Sequence, residues 1–313
     1  MTKQKANFSW AIGGFFFGTL LTYTMLPSYT NHQNGHGVRQ QNYQNLFKRG
    51  SESDILKFGN PGPVVDMLDH IEYTVSYDRR NRLPHWAGEH LTVDSLKKGS
   101  GVNRDNSDFR EDTSLPDLFR AHLSDYKYSG YDRGHQAPAG DAVSTQEAMD
   151  ETFLLSNMAP QVGVGFNREY WAYFEAFVRD LTQSFADVYV FTGPLFLPQS
   201  TEGTSVLGNT NIKLSGTNVT KAVVKASQAS YTMTYKVIGG NGPNIPVPTH
   251  FFKVLLAVDN GKYTAGAFVL PNQAIDSSTL LSEFQVDISA VEKAAGLQFF
   301  TKLDRSAFAD LSK

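Results

Sequence analysis

Residues 131–139 put a cation, a glycine and an imidazole side by side, directly after an aspartate: Asp132, Arg133, Gly134 and His135. Cleavage of a phosphodiester bond needs such groups. A neutral histidine takes a proton from water near neutral pH, and an arginine forks onto phosphate oxygens. The glycine permits a tight bend or the close approach of backbone or substrate. The run therefore indicates phosphodiester chemistry, provided that the rest of the chain supplies a metal ion, which the run itself lacks.

Candidate partners for this run follow it along the chain. Asn157 lies in residues 154–161, and Asn167 precedes Glu175 by eight residues, with Arg179 four further on. On a helix, Asn167 and Glu175 would lie on one side about 12 Å apart, and Glu175 and Arg179 would form an i,i+4 pair. Taken singly, each has an ordinary structural interpretation: a turn residue, a helix N-cap or a solvated helix pair.

The composition restricts both the metal and the class of protein. None of the 313 residues is a cysteine, which excludes disulfides, a thiolate metal site and a cysteine nucleophile. Oxygen and nitrogen ligands must therefore hold any metal, which suits a hard ion such as Mg²⁺. The formal net charge of −3 argues against a protein that coats nucleic acid electrostatically, although it permits a local cationic cleft.

The N-terminal segment differs from the rest of the chain. Lys3 and Lys5 precede an apolar, charge-free run of 19 residues at 8–26, close to the roughly 20 that span a membrane. We favour an uncleaved anchor over a signal or targeting peptide, because a small-residue cleavage site is not evident. Residues 27–53 lack periodicity and predict a disordered tether, in which His32 and His36 form no fixed metal pair.

From residue 54 onward the chain reads as a folded mixture of strands and helices. The strongest helical pattern covers 167–185, where apolar residues recur at three and four positions, and a second covers 116–126. A short helix capped by Asp287 ends at Gly296. The polar stretch 200–227 predicts a long surface insertion. Strands are predicted at 86–91, 128–135, 188–191, 232–237, 251–258 and 265–270.

The motifs occur in an order that carries a family resemblance. The blocks run from Phe58 to about Leu303 and include residues 109–112, 129–138, 155–158, 165–168, 192–198, 247–253 and 268–272. In these blocks the chain resembles the mitochondrial sugar-nonspecific nucleases, endonuclease G and its fungal counterparts, within the DNA/RNA non-specific endonuclease (ββα-metal) family. The resemblance implies an α+β fold of the ββα-metal (His-Me) type, with a mixed or antiparallel central sheet flanked by helices. Residues 54–313 would form this domain, behind a targeting segment or membrane anchor at 1–26 and the tether.

The same resemblance implies roles for the site residues. His135 would be the general base, and Asn167 would be the single protein ligand of Mg²⁺, for which Mn²⁺ can substitute. Glu175 would hold metal-bound waters. The other implied site residues are Arg133 within the motif, Arg179 supporting the cleavage site, Asn157 near it, and Arg104 on a substrate phosphate. Asp132 is interpreted as a structural brace for the turn and not as a ligand.

These implications predict a Mg²⁺-dependent endonuclease that cleaves DNA and RNA and leaves 5′-phosphate ends. A site that grips phosphates carries little base information, and we interpret Trp86 and Trp171 as core residues, not as stacking platforms. The resemblance further implies a homodimer in mitochondria, held at the inner membrane and facing the intermembrane space. One alternative is a secreted or cell-surface nuclease, for which residues 218–220 form a glycosylation sequon. The other is a catalytically silent, membrane-tethered nucleic-acid-binding protein.

Overall fold

The computed structural model describes residues 54–62, 66–200, 206–207, 210–211 and 231–311. The predicted anchor, the tether with its two histidines, the sequon and most of the predicted insertion lie outside these residues. Within the described part of the chain, no helix is long and apolar enough to cross a membrane.

A large antiparallel sheet forms the centre of the described domain. In chain order, the strands β1 to β16 of the described residues are Asp66–Asp69, Tyr73–Asp78, Leu83–Leu91, Asp132–His135, Met158–Gln161, Asp187–Leu195, Gln199–Ser200, Val206–Leu207, Thr210–Asn211, Tyr231–Thr232, Val237–Ile238, Ile245–Pro246, His250–Asp259, Lys262–Pro271, Gln285–Val286 and Phe308–Asp310. The central sheet runs β1-β2-β3-β6-β13-β14-β15, and β16 pairs with β14 in parallel. The remaining strands form two-stranded ladders, among them β4 with β5.

Helices cover both faces of this sheet. Those of the described residues, α1 to α4, are Leu123–Tyr126, Gln146–Thr152, Tyr170–Asp180 and Ile288–Ala295. Because side chains alternate along a strand, Val188 and Val190 pack in the core that contains α3. Tyr189 and Phe191 point to the opposite face, whose core contains α4. The domain is thus an α+β fold with a mostly antiparallel central sheet between helices, as predicted.

The predicted helix at 167–185 begins later than the apolar pattern suggests. α3 starts at Tyr170, and a 3₁₀ turn at Leu181–Gln183 follows it. Upstream, the φ of 80° at Gly165 is outside the α-helical region, and glycine is needed there because a Cβ would meet Ala274 at 2.5 Å. Asn167 therefore lies in the turn before the helix. The prediction that Asn167 and Glu175 share one helix face was wrong.

Two other predicted elements are divided in the structure. Residues 116–126 form a 3₁₀ turn at Asp117–Phe119 and the separate helix α1, because Arg120 and His122 are extended. The predicted strand 232–237 is two short strands, β10 and β11, which pair with β7 and β12 respectively. The strands predicted around 86–91, 188–191, 251–258 and 265–270 are confirmed within β3, β6, β13 and β14. Gly296 ends α4 with a φ of 70°.

Candidate active site

Two antiparallel strands, one helix and the turn before that helix carry most of the predicted site, and Arg104 lies on a separate 3₁₀ turn at Arg104–Asn106. β4 pairs with β5, so that His135 lies opposite Met158, and the chain then turns into α3. Gly134 lies opposite Ala159, and a Cβ at this position would come within 1.9 Å of Gln161 Oε1. The glycine of the motif is thus needed for the close approach of a buried side chain.

A cavity of about 1140 Å³ opens at this unit. Its walls bring together all but one of the predicted site residues: Arg104, Arg133, His135, Asn167, Glu175 and Arg179. Its basic residues, which also include Lys127 and Arg168, outnumber the acidic Asp108, Asp132 and Glu175. The protein therefore has the local cationic cleft that its slightly negative net charge permitted.

Aromatic rings hold the imidazole and two arginines in place. The ring of His135 packs edge-on against Phe153 at 4.9 Å and lies 5.6 Å from Phe109, measured between centroids. The guanidinium of Arg133 lies 4.3 Å above Phe109, and that of Arg104 lies 5.1 Å above Phe153. Such stacking fixes the planar cations without using their N–H groups. These N–H groups remain available to phosphate oxygens.

His135 is kept neutral by its surroundings. Burial lowers its pKa to about 3, and the positive charge of Arg104 acts in the same direction. Its buried Nε2 has no hydrogen-bond partner among the described residues. Neutral imidazole is the form that accepts a proton, so His135 is in the protonation state that a general base needs throughout the physiological pH range.

Asn167 is oriented through its amide nitrogen. Nδ2 donates to Asp132 Oδ2 at 2.9 Å, and Arg168 holds the same carboxylate with two bonds of 2.6 and 2.7 Å. This contact assigns the two ends of the amide and leaves Oδ1 without a hydrogen bond from the described residues. A neutral amide oxygen at a cavity is a suitable ligand for a hard cation. The described ranges contain no group of three or more His, Asp or Glu that could hold a metal.

Glu175 and Arg179 project from α3 into the same cavity, but they do not form the predicted ion pair. Arg179 instead donates to Asp141 Oδ1 at 2.6 Å. The pKa of Glu175 is raised to about 7 as the net result of burial and of Asp141, which increase it, and of Lys253, Arg179 and Arg104, which oppose the increase. Glu175 therefore changes its protonation state near neutral pH.

A buried polar cluster lies beneath α3, and the sequence interpretation missed it. Lys253 on β13 donates to Thr192 at 2.8 Å and lies 5.0 Å from the ring of Trp171. Glu89 on β3 is hydrogen-bonded to Asp141, and burial raises the pKa of both carboxyls. The hydrogen bond between them raises the pKa of Glu89 further and lowers that of Asp141, which favours Glu89 as the carboxyl that keeps the proton. A charged residue inside an otherwise apolar strand was the available signal for both Glu89 and Lys253.

Asn157 is behind the cavity wall instead of in it. The side chain is fully buried. Its Oδ1 accepts from the backbone N–H of Ala137 at 2.9 Å, and its Nδ2 donates to the carbonyls of Ala137 and Thr152 at 2.8 and 2.9 Å. Both of its N–H groups and one lone pair of its oxygen are thus used on Ala137, which lies two residues after His135, and on Thr152 at the end of α2. This geometry favours a positioning role for Asn157 over direct contact with the reacting groups.

Known proteins are similar to this chain over most of its length. Residues 51–306 match the model of the DNA/RNA non-specific endonuclease family. A protein named Nuclease from Syncephalastrum racemosum is 55% identical over 302 residues, which cover 95% of this chain and 88% of the relative. The Mitochondrial nuclease of Saccharomyces cerevisiae is 39% identical over 305 residues, covering 94% of this chain and 85% of the relative.

A solved structure described as "Crystal structure of the EndoG/EndoGI complex: Mechanism of EndoG inhibition" is similar in fold as well as in sequence. It superposes with a TM-score of 0.70 at 43% identity and covers 82% of this chain and 94% of that one. The family match, which spans the β4, β5 and α3 unit and the cavity on it, shows that the chain belongs to the DNA/RNA non-specific endonuclease family.

Proposed function

We propose that the protein is a metal-dependent endonuclease that hydrolyses the phosphodiester bonds of both DNA and RNA in the cavity on β4, β5 and α3. The observation that carries this proposal is the neutral imidazole of His135, whose Nε2 has no hydrogen-bond partner among the described residues and which lies between two stacked arginines. Asn167 and Glu175 line the same cavity. A catalytically silent binding protein would not need a buried, uncharged histidine among phosphate-binding groups.

The donor set of the cavity fits a hard divalent cation. Asn167 would hold it through the amide oxygen that its bond to Asp132 leaves free, and Glu175 would bind its waters. Mg²⁺ keeps most of its waters and takes few protein ligands, and Mn²⁺ can replace it. When bound, such an ion supplies Lewis-acid stabilisation of charge on the phosphoryl group and on the leaving oxygen.

The side chains of this protein would share the remaining work. His135 takes the proton from the attacking water. Arg104 and Arg133 neutralise the non-bridging phosphate oxygens, with Arg179 supporting them from α3. Departure of the 3′-oxygen leaves a 5′-phosphate end. Because these contacts address phosphate, the site accepts DNA and RNA with little regard to base sequence.

Location and assembly are part of the same proposal. The name of the Saccharomyces cerevisiae relative supports a mitochondrial address. We place the anchor or targeting segment at residues 1–26, the tether at 27–53 and the nuclease domain at 54–313, as a homodimer at the inner membrane. A fluorescent fusion to residues 1–50 separates this address from the alternative of secretion.

Cleavage assays test the activity itself. Purified protein is expected to nick plasmid and degrade RNA with Mg²⁺ or Mn²⁺ and to stop in EDTA. His135→Ala should lower the rate by about 10²- to 10⁴-fold, whereas the control His85→Ala, which changes a half-buried histidine outside the cavity, should not. Full cleavage by His135→Ala would remove the base assignment. Binding of DNA without hydrolysis in Mg²⁺ would favour the silent alternative.

A further inference from the structure

The turn between α1 and β4 holds a tyrosine that the proposed chemistry does not use. Tyr128 has a φ of 60°, and its side chain is 94% exposed. A bulky residue in the left-handed region is rare and strained. Strain of this kind persists where the surrounding structure imposes it and is concentrated at ligand sites. Because the ring is exposed, its burial does not offset the strain of the backbone. A contact with another molecule is therefore the role left for this side chain.

Hydrogen bonds fix the backbone on both sides of this tyrosine. The N–H of Ser129 donates to the carbonyl of Tyr126 at 3.2 Å, and the N–H of Tyr131 donates to Ser129 Oγ at 3.1 Å. Gly130 is also left-handed, with a φ of 83°. The turn is therefore a defined structure that directs the ring of Tyr128 outward.

The ring lies at the catalytic cavity and beside positive charge. Lys127, Tyr128, Tyr131 and Arg133 line the same cavity as His135. The ammonium of Lys127 is 5.1 Å from the centroid of the Tyr128 ring. An exposed aromatic face next to cations is the combination by which proteins hold single-stranded nucleic acid: bases stack on the ring and phosphates meet the charges. The buried Trp86 and Trp171 cannot serve in this way.

We propose that Tyr128 is a stacking platform for one nucleobase of the substrate strand, with Lys127 contacting an adjacent phosphate. The inference rests on the proposed function, because it takes the strand in the cavity to be nucleic acid. Every base offers a stacking face, so such a platform binds without sequence preference. It requires an unpaired base and therefore favours single-stranded or locally opened substrate over closed duplex.

Three variants distinguish the effect of the ring on binding from an effect of the substitution on the fold. Tyr128→Asn removes the ring, and asparagine tolerates a positive φ, so the turn is kept. Tyr128→Trp keeps a stacking face. Tyr173→Asn is the matched control, since Tyr173 is 65% exposed on α3 but lies outside this cavity.

The probe is a labelled single-stranded oligonucleotide, titrated in EDTA and followed by fluorescence anisotropy. Tyr128→Asn should bind about tenfold more weakly than the wild type, whereas Tyr128→Trp and Tyr173→Asn should bind as the wild type does. A probe in which every nucleotide is abasic should bind the wild type more weakly than the intact probe does, and this difference should be smaller for Tyr128→Asn. Equal affinity of Tyr128→Asn and the wild type would overturn the inference. So would a loss of affinity in Tyr128→Asn that is as large on the abasic probe as on the intact probe.

This binding assay is independent of hydrolysis. If the wild type cleaves nucleic acid but Tyr128→Asn binds normally, the proposed function stands and the platform fails. If the wild type binds through Tyr128 but cleaves nothing with metal, the platform stands and the proposed function fails. A wild type that does not bind the oligonucleotide overturns the platform as well.

Discussion

The side-chain amide of Asn167 donates to the carboxylate of Asp132 at 2.9 Å and so ties the turn before α3 to the first strand of the site. Gly163 makes room for this contact, since a Cβ there would lie 2.9 Å from Asp132 Oδ2. Arg168 neutralises the same carboxylate. Asp132 thus orients the proposed metal ligand without being a ligand itself, which agrees with its interpretation as a brace.

Asp132→Asn should therefore weaken metal binding. The variant keeps the shape of the side chain but removes the charge that holds Arg168, and one amide oxygen must then serve three donors. Loss of such an orienting partner costs about 10- to 100-fold in metal affinity. Calorimetric titration of Mn²⁺ measures the effect. Asp276→Asn, which changes an exposed turn residue, is the control, and unchanged Mn²⁺ affinity in Asp132→Asn would contradict the orienting role.

Substitutions at the two buried carboxyls, Glu89 and Asp141, should change the stability by different amounts. Glu89 holds the shared proton, so Glu89→Gln replaces one neutral donor by another of similar shape and should change the free energy of unfolding by less than about 1 kcal/mol. Asp141→Ala leaves Arg179 without its partner and should cost about 3 to 5 kcal/mol. Urea denaturation measures both. A loss of several kcal/mol in Glu89→Gln would show that the proton is not held on Glu89.

The sequence predicted those parts of the site in which residues suited to catalysis also lie in a local motif or an apolar pattern. Residues 131–139 and the apolar spacing of α3 indicated the two halves of the site, and both line one cavity. The sequence could not show that Asn167 precedes α3, because the positive φ of Gly165 and its packing on Ala274 depend on the tertiary structure.

Local sequence patterns could not predict the buried cluster of Glu89, Asp141 and Lys253 for a similar reason. Lys253 meets Thr192 only because β13 pairs with β6, and Thr192 also lies opposite Ala87 of β3. Glu89 reaches the cluster through that sheet order. A charge in an apolar strand signals that a partner exists, but strands distant in sequence decide which residue it is.

The protonation of Glu175 should appear in the pH dependence of stability. Its pKa is raised from about 4.5 to about 7 in the folded protein, so the folded state keeps a proton that the unfolded state has lost. The stabilisation that comes from this retained proton is fully present below pH 4.5 and is lost as the pH rises to 7. Above pH 7, Glu175 no longer changes the free energy of unfolding with pH. Glu175→Gln removes this loss.

Relative to Glu175→Gln, the wild type in EDTA should therefore lose about 3 kcal/mol of unfolding free energy between pH 4.5 and 7. Urea midpoints across this range measure it, with Glu147→Gln on the exposed side of α2 as the matched control. Parallel curves for the wild type and Glu175→Gln would mean that folding does not raise the pKa of Glu175.

Asn157→Ala separates positioning from contact with substrate. The substitution leaves the N–H and carbonyl of Ala137 and the carbonyl of Thr152 without this partner in the buried interior, which should cost about 2 to 4 kcal/mol of unfolding free energy. Asn81→Ala, which removes one side-chain bond to Asp78 in an outer turn, should cost less than about 1 kcal/mol. Because residues 136–139 follow His135 directly, cleavage should fall together with stability, and second-site stabilisation should restore part of it. Lost cleavage with an unchanged urea midpoint would instead place Asn157 among the groups that touch the substrate.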